Sequence, residues 1–196
     1  MSQNADLHVV LGSGALGRAV ARELLSRGRK VRMVSRGGRD TPAGAESVRA
    51  DVSDEKAAIG ACAGAAVVYH TATPDYTKWA DLYPPIQRGA IAGAKAAGAK
   101  LISAESIYMY GPVDRPMTED MPHQATTRKG RIRAQLAAMA MEAHARGEVR
   151  VARGAGGQLG VLPAQLGEPS PKPAAATLAG VGTRATPSPA ENSWST

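Results

Sequence analysis

Cysteine is nearly missing from this chain: Cys62 is the only one in 196 residues. An internal disulfide and a cysteine-built zinc cluster are therefore excluded, and a reducing, cytoplasmic compartment fits. Long apolar runs are missing too. Stretches such as Val9–Leu11 and Ala65–Val68 fall far short of the roughly 20 apolar residues of a membrane-crossing helix, so no membrane association is expected. The start, MSQNADLHVV, has no basic region before its apolar run and no small-residue cleavage site, which argues against a secretory signal. Aromatic residues are only 4% of the chain, and phenylalanine is absent. The net charge is +7, but Thr127–Arg133 is the one densely basic run and it holds no aromatic. That pattern suits a solvated helix face and argues against a nucleic-acid partner. The histidines show no metal-ligand spacing with acids, so no metal site is expected.

What is present is alternation. Short apolar runs at His8–Leu11, Lys30–Ser35, Ser47–Ala50, Ala66–Thr71, Lys100–Ala104 and Val149–Arg153 read as strands. Between them, helices are expected over Leu16–Arg27, Ser53–Ala61 with Ser53 as its cap, Pro85–Ala97 and Arg128–Arg146. Strands and helices in alternation give an α/β protein, a doubly wound, mostly parallel sheet with helices on both faces. The expected organisation is one such domain over 1–153. Residues 154–196 follow as a tail rich in Ala, Gly, Pro, Ser and Thr. It has little apolar surface to offset the entropy of ordering, so disorder is expected there.

The strongest motif is Gly12-Ser13-Gly14-Ala15-Leu16-Gly17, a G-x-G-x-x-G directly after a strand and opening a helix. Gly12 permits the tight turn, Gly14 lets backbone approach a pyrophosphate, and Gly17 lets the helix pack against the sheet. The pyrophosphate would sit on N–H groups at the positive end of that helix. A glycine turn without a ligand is the alternative. At the end of the second strand, where an NAD site usually has a carboxylate, stand Ser35 and Arg36, with Arg39 nearby. Asp40 lies past the strand end, out of place for that role. Arginine pairs well with a 2′-phosphate. NADP(H) is therefore preferred, with NAD(H) admissible.

Four stretches, HVVLGSGALGRAVARELLSRG, RADVSD, AAVVYHTATPDY and ISAESIYMYGPV, together resemble the NAD(P)-dependent epimerase/dehydratase proteins, an extended or atypical branch of the short-chain dehydrogenase/reductase superfamily. The likeness covers about residues 7–153. It implies that Asp51 and Val52 flank the adenine. It implies that Thr71, Ala72 and Thr73 run along the ribose and nicotinamide side, and that Ser106 holds a substrate oxygen. The reaction implied is hydride transfer on a carbonyl, a hydroxyl or a nucleotide-sugar-type small molecule. Helix pairs of this superfamily often build dimers, which admits a homodimer without requiring one.

Two departures stand against that implication. The family's Tyr-x-x-x-Lys is missing; at its distance stand Lys129 and Arg133, an acid/base and a ribose contact in the resemblance, surface charges in the plainer reading. After the sixth strand the family continues into a smaller substrate domain, and nothing past Arg153 resembles it. Truncation or a shifted reading frame is the expectation, which translating the other two frames would test. The functional alternatives are thus an oxidoreductase, a non-catalytic NADP(H)-binding or redox-sensing protein, and an inactive fragment.

Overall fold

The structure, a computed structural model, describes residues 6–155 apart from residue 119. The expected tail beyond Ala155 lies outside the described residues. Six strands form one sheet in the order β3-β2-β1-β4-β5-β6. They are β1 (Leu7–Leu11), β2 (Lys30–Ser35), β3 (Glu46–Arg49), β4 (Val67–His70), β5 (Lys100–Glu105) and β6 (Arg150–Ala155). Every neighbouring pair is parallel. This is the Rossmann order, with its reversal between β1 and β4.

Register explains which residues are buried where. Val9 pairs with Val68, and Val68 with Leu101. These three point to one face and sit in the main core with Ala58, Cys62, Ala90 and Ala94. That core lies beneath α2 (Glu55–Cys62) and α3 (Trp79–Ala97). On the opposite face His8 meets Tyr69, its Nδ1 3.2 Å from the phenolic oxygen. There α1 (Ala15–Ser26) buries Val20, Ala21 and Leu24, one stripe of a 3.6-residue period. Cys62 is fully buried and burial pushes its thiol up to about 11, so it is packing and not a nucleophile.

Two helix starts differ from the sequence expectation. Asp54, not Ser53, caps α2: its carboxylate accepts from the N–H groups of Lys56 and Ala57 at 2.9 and 3.2 Å. An Asp cap also brings negative charge to the positive helix end, while the Ser53 hydroxyl donates to Asp51. The other difference is larger. α3 begins at Trp79, six residues before Pro85, and carries Pro84 and Pro85 inside it. Each costs about 3 kcal/mol in a helix interior. The offset is burial of Trp79 and Tyr83, with 6% and 2% exposure, against Ile132 and Leu136 of α4 (Arg128–Ala145). Full burial of a large apolar side chain contributes roughly 1.5–3 kcal/mol. Among the described residues no helix is long and apolar enough to cross a membrane.

Candidate functional site

The loop after β1 is held tightly. The Gly12 N–H donates to the Val34 carbonyl at 2.8 Å. Gly12 sits at φ +107, and a Cβ there would meet the Ala72 backbone at 2.8 Å. Thr71 staples the loop from β4: its hydroxyl donates to Leu11 O at 2.9 Å. A Cβ on Gly17 would collide with the Gly12 carbonyl and stand 2.7 Å from Thr71 Oγ1. A Cβ on Gly14 would meet nothing within 4 Å, so that glycine leaves open space on the cavity side. Gly14 caps α1 without a side-chain hydrogen bond, and no acidic residue stands in the first turn. The first N–H groups of α1 are thus left for a ligand, which is what an anionic phosphate needs.

A cavity of about 620 Å3 opens above this loop. Its floor is Gly12, Ser13, Gly14, Ala15 and Leu16; Gly17 lies beneath, as packing. One wall comes from the ends of β2 and β3 and carries Ser35, Arg36, Asp51 and Val52. The other follows β4 and carries Thr71, Ala72 and Thr73, backed by Leu82 and Ile86 of α3. Asp51 accepts from the Ser53 hydroxyl and N–H at 2.7 and 2.9 Å. These bonds hold its carboxyl below the usual range, so it is a charged acceptor at neutral pH. Glycine loop, uncapped helix end and two-sided wall together fit a dinucleotide.

Ser106 and Lys129 are not among the residues lining this cavity. The Ser106 hydroxyl accepts from the Tyr108 N–H at 3.3 Å, capping the 3-10 turn Ile107–Tyr110. Lys129 donates to the Tyr76 carbonyl, with its Nζ 3.2 Å from the Tyr76 ring centroid. Arg133 is buried instead. It donates to the Tyr83 hydroxyl at 2.8 Å and lies 4.9 and 4.8 Å from the ring centroids of Trp79 and Tyr83. A buried cation is costly without a partner; here two aromatic faces and a hydroxyl take the place of a carboxylate. The stripe Trp79, Tyr83, Gln87 on α3 was not legible as a polar seam, because its signal is i, i+4 spacing shared with ordinary core.

His70, at the end of β4, meets Tyr83 edge-on at 6.5 Å between ring centroids. Burial, with the nearby Arg133 charge, pushes it down to about 4, against a weaker pull from Gln87. Between that value and the ordinary 6.5 the unfolded chain holds a proton the folded one lacks. Stability is therefore complete at neutral pH and falls with acidification through that window. The expected loss between pH 7 and pH 5 is on the order of 2 kcal/mol. Urea unfolding at both pH values checks it. An equal loss in His70→Gln would assign the effect elsewhere.

A family model described as NAD(P)H-binding matches residues 12–146. No curated protein matches. Among solved structures, UDP-glucose 4-epimerase from Brucella ovis in complex with NAD superposes with a TM-score of 0.69 at 16% identity, over 76% of this chain and 51% of that one. MoeE5 in complex with UDP-glucose and NAD gives 0.61 at 25% identity, over 76% and 52%. A short-chain dehydrogenase/reductase superfamily protein from Agrobacterium tumefaciens with bound NAD gives 0.63 at 24%, over 75% and 48%. The chain spans about half the length of these proteins. All three hold NAD, which corrects the expected preference for NADP(H). The structure supplies a physical reason. Asp40 lines the same wall as Arg36 and Arg39, brought there by a left-handed backbone at φ +63. The Ser35 hydroxyl is taken by the Gly38 N–H at 3.1 Å. With Asp40 and Asp51 both present, that wall is not the cationic surface that a 2′-phosphate requires. The chain belongs to the NAD(P)H-binding family, and it shares the Rossmann fold of those epimerase and dehydrogenase/reductase structures.

Proposed function

We propose that this chain binds NAD(H) across the Gly12–Leu16 loop and serves an oxidoreductase or epimerase reaction on a carbonyl, hydroxyl or nucleotide-sugar substrate. The observation that carries it is the cavity of about 620 Å3 over a glycine cradle that tolerates no side chain at Gly12 or Gly17. The likeness to a UDP-glucose 4-epimerase and to MoeE5 with UDP-glucose, over half their length, supports the sugar-nucleotide class. The nicotinamide, when bound, supplies hydride chemistry. The chain's own part is to seat the pyrophosphate on α1 N–H groups and to offer Asp51 to the adenine side.

Asp40 is the NAD-selecting group in this reading: its carboxylate accepts from a ribose 2′-OH and repels a 2′-phosphate. NADH titrated against the protein, followed by nicotinamide fluorescence, should saturate and bind tighter than NADPH. Asp40→Asn keeps the side-chain shape and its tolerance of positive φ. It should narrow the NADH-over-NADPH preference about tenfold, the worth of a charge-assisted hydrogen bond. No saturation with NADH in a cooperatively melting protein would sink the proposal.

A non-catalytic NAD(H)-binding or redox-sensing role is the second reading. It is favoured by the placement of Ser106 and Lys129 on Tyr108 and Tyr76 and away from the cavity lining. Turnover of NADH with a panel of carbonyl substrates separates the two.

A further inference from the structure

The wall after β4 carries a hydrogen-bond chain whose direction is set by its far end. Arg133 has donors only, so the Tyr83 hydroxyl accepts from it, at 2.8 Å. The Tyr83 hydroxyl is nearly sealed from solvent, in a residue 2% exposed. A buried O–H left without an acceptor is costly. Among the described residues the acceptor within reach is Thr73 Oγ1, at 3.1 Å. Tyr83 therefore donates to Thr73. Thr73 has one hydroxyl proton, and its oxygen is already accepting, so that proton points away from Tyr83. Thr73 is exposed and lines the cavity. The chain thus ends in a donor presented to the cavity, polarised by a buried guanidinium two bonds away. Hydrogen bonds in such series strengthen one another.

The topology says which part of a dinucleotide would meet it. Asp40 and Asp51 stand at the β2–β3 side of the glycine loop, while Thr73 follows β4 on the far side of β1. A dinucleotide laid across the β1/β4 reversal, with adenosine on the first side, brings its other nucleoside to Thr73. We infer that Thr73 donates a hydrogen bond to an oxygen of the nicotinamide–ribose half of the bound dinucleotide, with Tyr83 and Arg133 as the positioning residues that aim it. This rests on the NAD(H) reading above. It gives Arg133 a role through Tyr83 in place of direct contact with the ribose.

The test is binding, not turnover. Thr73→Val removes the donor at constant shape and should weaken NADH about fivefold, the worth of one neutral hydrogen bond. Thr73→Ser should restore it. ADP, which lacks the nicotinamide and its ribose, should bind Thr73→Val and the original protein alike. Tyr83→Phe keeps the ring against Trp79 and Arg133 and should weaken NADH in the original background. In Thr73→Val it should add nothing, because Tyr83 acts only through Thr73. A thermal melt confirms that Tyr83→Phe is folded. Unchanged NADH affinity in Thr73→Val, or an equal loss for ADP, overturns the inference while leaving the NAD(H) reading intact. Additive losses in the double variant overturn the positioning role of Tyr83. Failure of the original protein to bind NADH removes the reading and this inference together.

Discussion

Gly17→Ala should abolish NADH binding and lower the melting temperature by roughly 5 °C, the equivalent of about 2 kcal/mol in a chain of this size. In an ordinary helix the same change is stabilising, by about 1 kcal/mol. Here the added methyl points at the Gly12 carbonyl and at Thr71 Oγ1. Neither gives way cheaply. The Gly12 N–H is tied to Val34, and Thr71 is tied to Leu11 by both its N–H and its hydroxyl. The first turn of α1 must then lift from the sheet, and the N–H groups that would meet a phosphate lift with it. Gly14→Ala is the informative control. Its Cβ meets nothing within 4 Å, so the fold should melt as before while NADH affinity still falls, because the methyl would occupy the space proposed for the pyrophosphate. A Gly17→Ala protein that binds NADH normally would refute this account of the loop.

Gly89→Ala should be nearly as damaging, though it lies outside the cavity. A Cβ at Gly89 would run into the Val52 carbonyl and stand 3.4 Å from the Ala58 Cβ. Gly93, one turn on, lies against Cys62 Sγ in the same way. The two glycines let α3 settle onto α2 and the turn before it, at Val52, at backbone distance. Overpacking such a contact costs typically 1–3 kcal/mol. Val52 lines the cavity, so NADH affinity should drop along with stability. Gly60, on α2, has open space around its absent side chain. There the helix preference for alanine acts alone, and Gly60→Ala should raise stability by up to about 1 kcal/mol. Urea midpoints of the two variants, moving in opposite directions, check both. If they move the same way, the close approach at Gly89 is not what limits it.

The strands and the glycine loop were legible because their signals are local: short β-branched runs and a glycine pattern in the right setting. The parallel order followed from alternation with helices. What was hidden depended on side chains brought together from afar. Pro84 and Pro85 argue locally for a helix beginning at Pro85, and only the Trp79–Tyr83 contact with α4 reverses that. Asp40 looked too far from the end of β2, because its left-handed backbone folds the chain back in a way that counting residues does not reveal. Arg133 read as surface charge in a basic run. Its neighbours Arg128 and Arg131 are indeed exposed, and only the helix face separates it from them.

The parallel order also shapes how the protein is made. β1 lies mid-sheet, yet of the six described strands it leaves the ribosome before the other five. Its register joins Leu7 to Lys30 on one side and His8 to Val67 on the other. No neighbouring strands are linked by a hairpin: β2 covers one edge of β1 only after the α1 crossover, and the other edge waits for β4. At about 5–20 residues per second, β4 is synthesised some seconds after β1. Throughout that interval the Val-Val-Leu strand has at least one open edge and no complete core. Nascent-chain aggregation and chaperone engagement should therefore centre on β1, and subside once β4 has emerged.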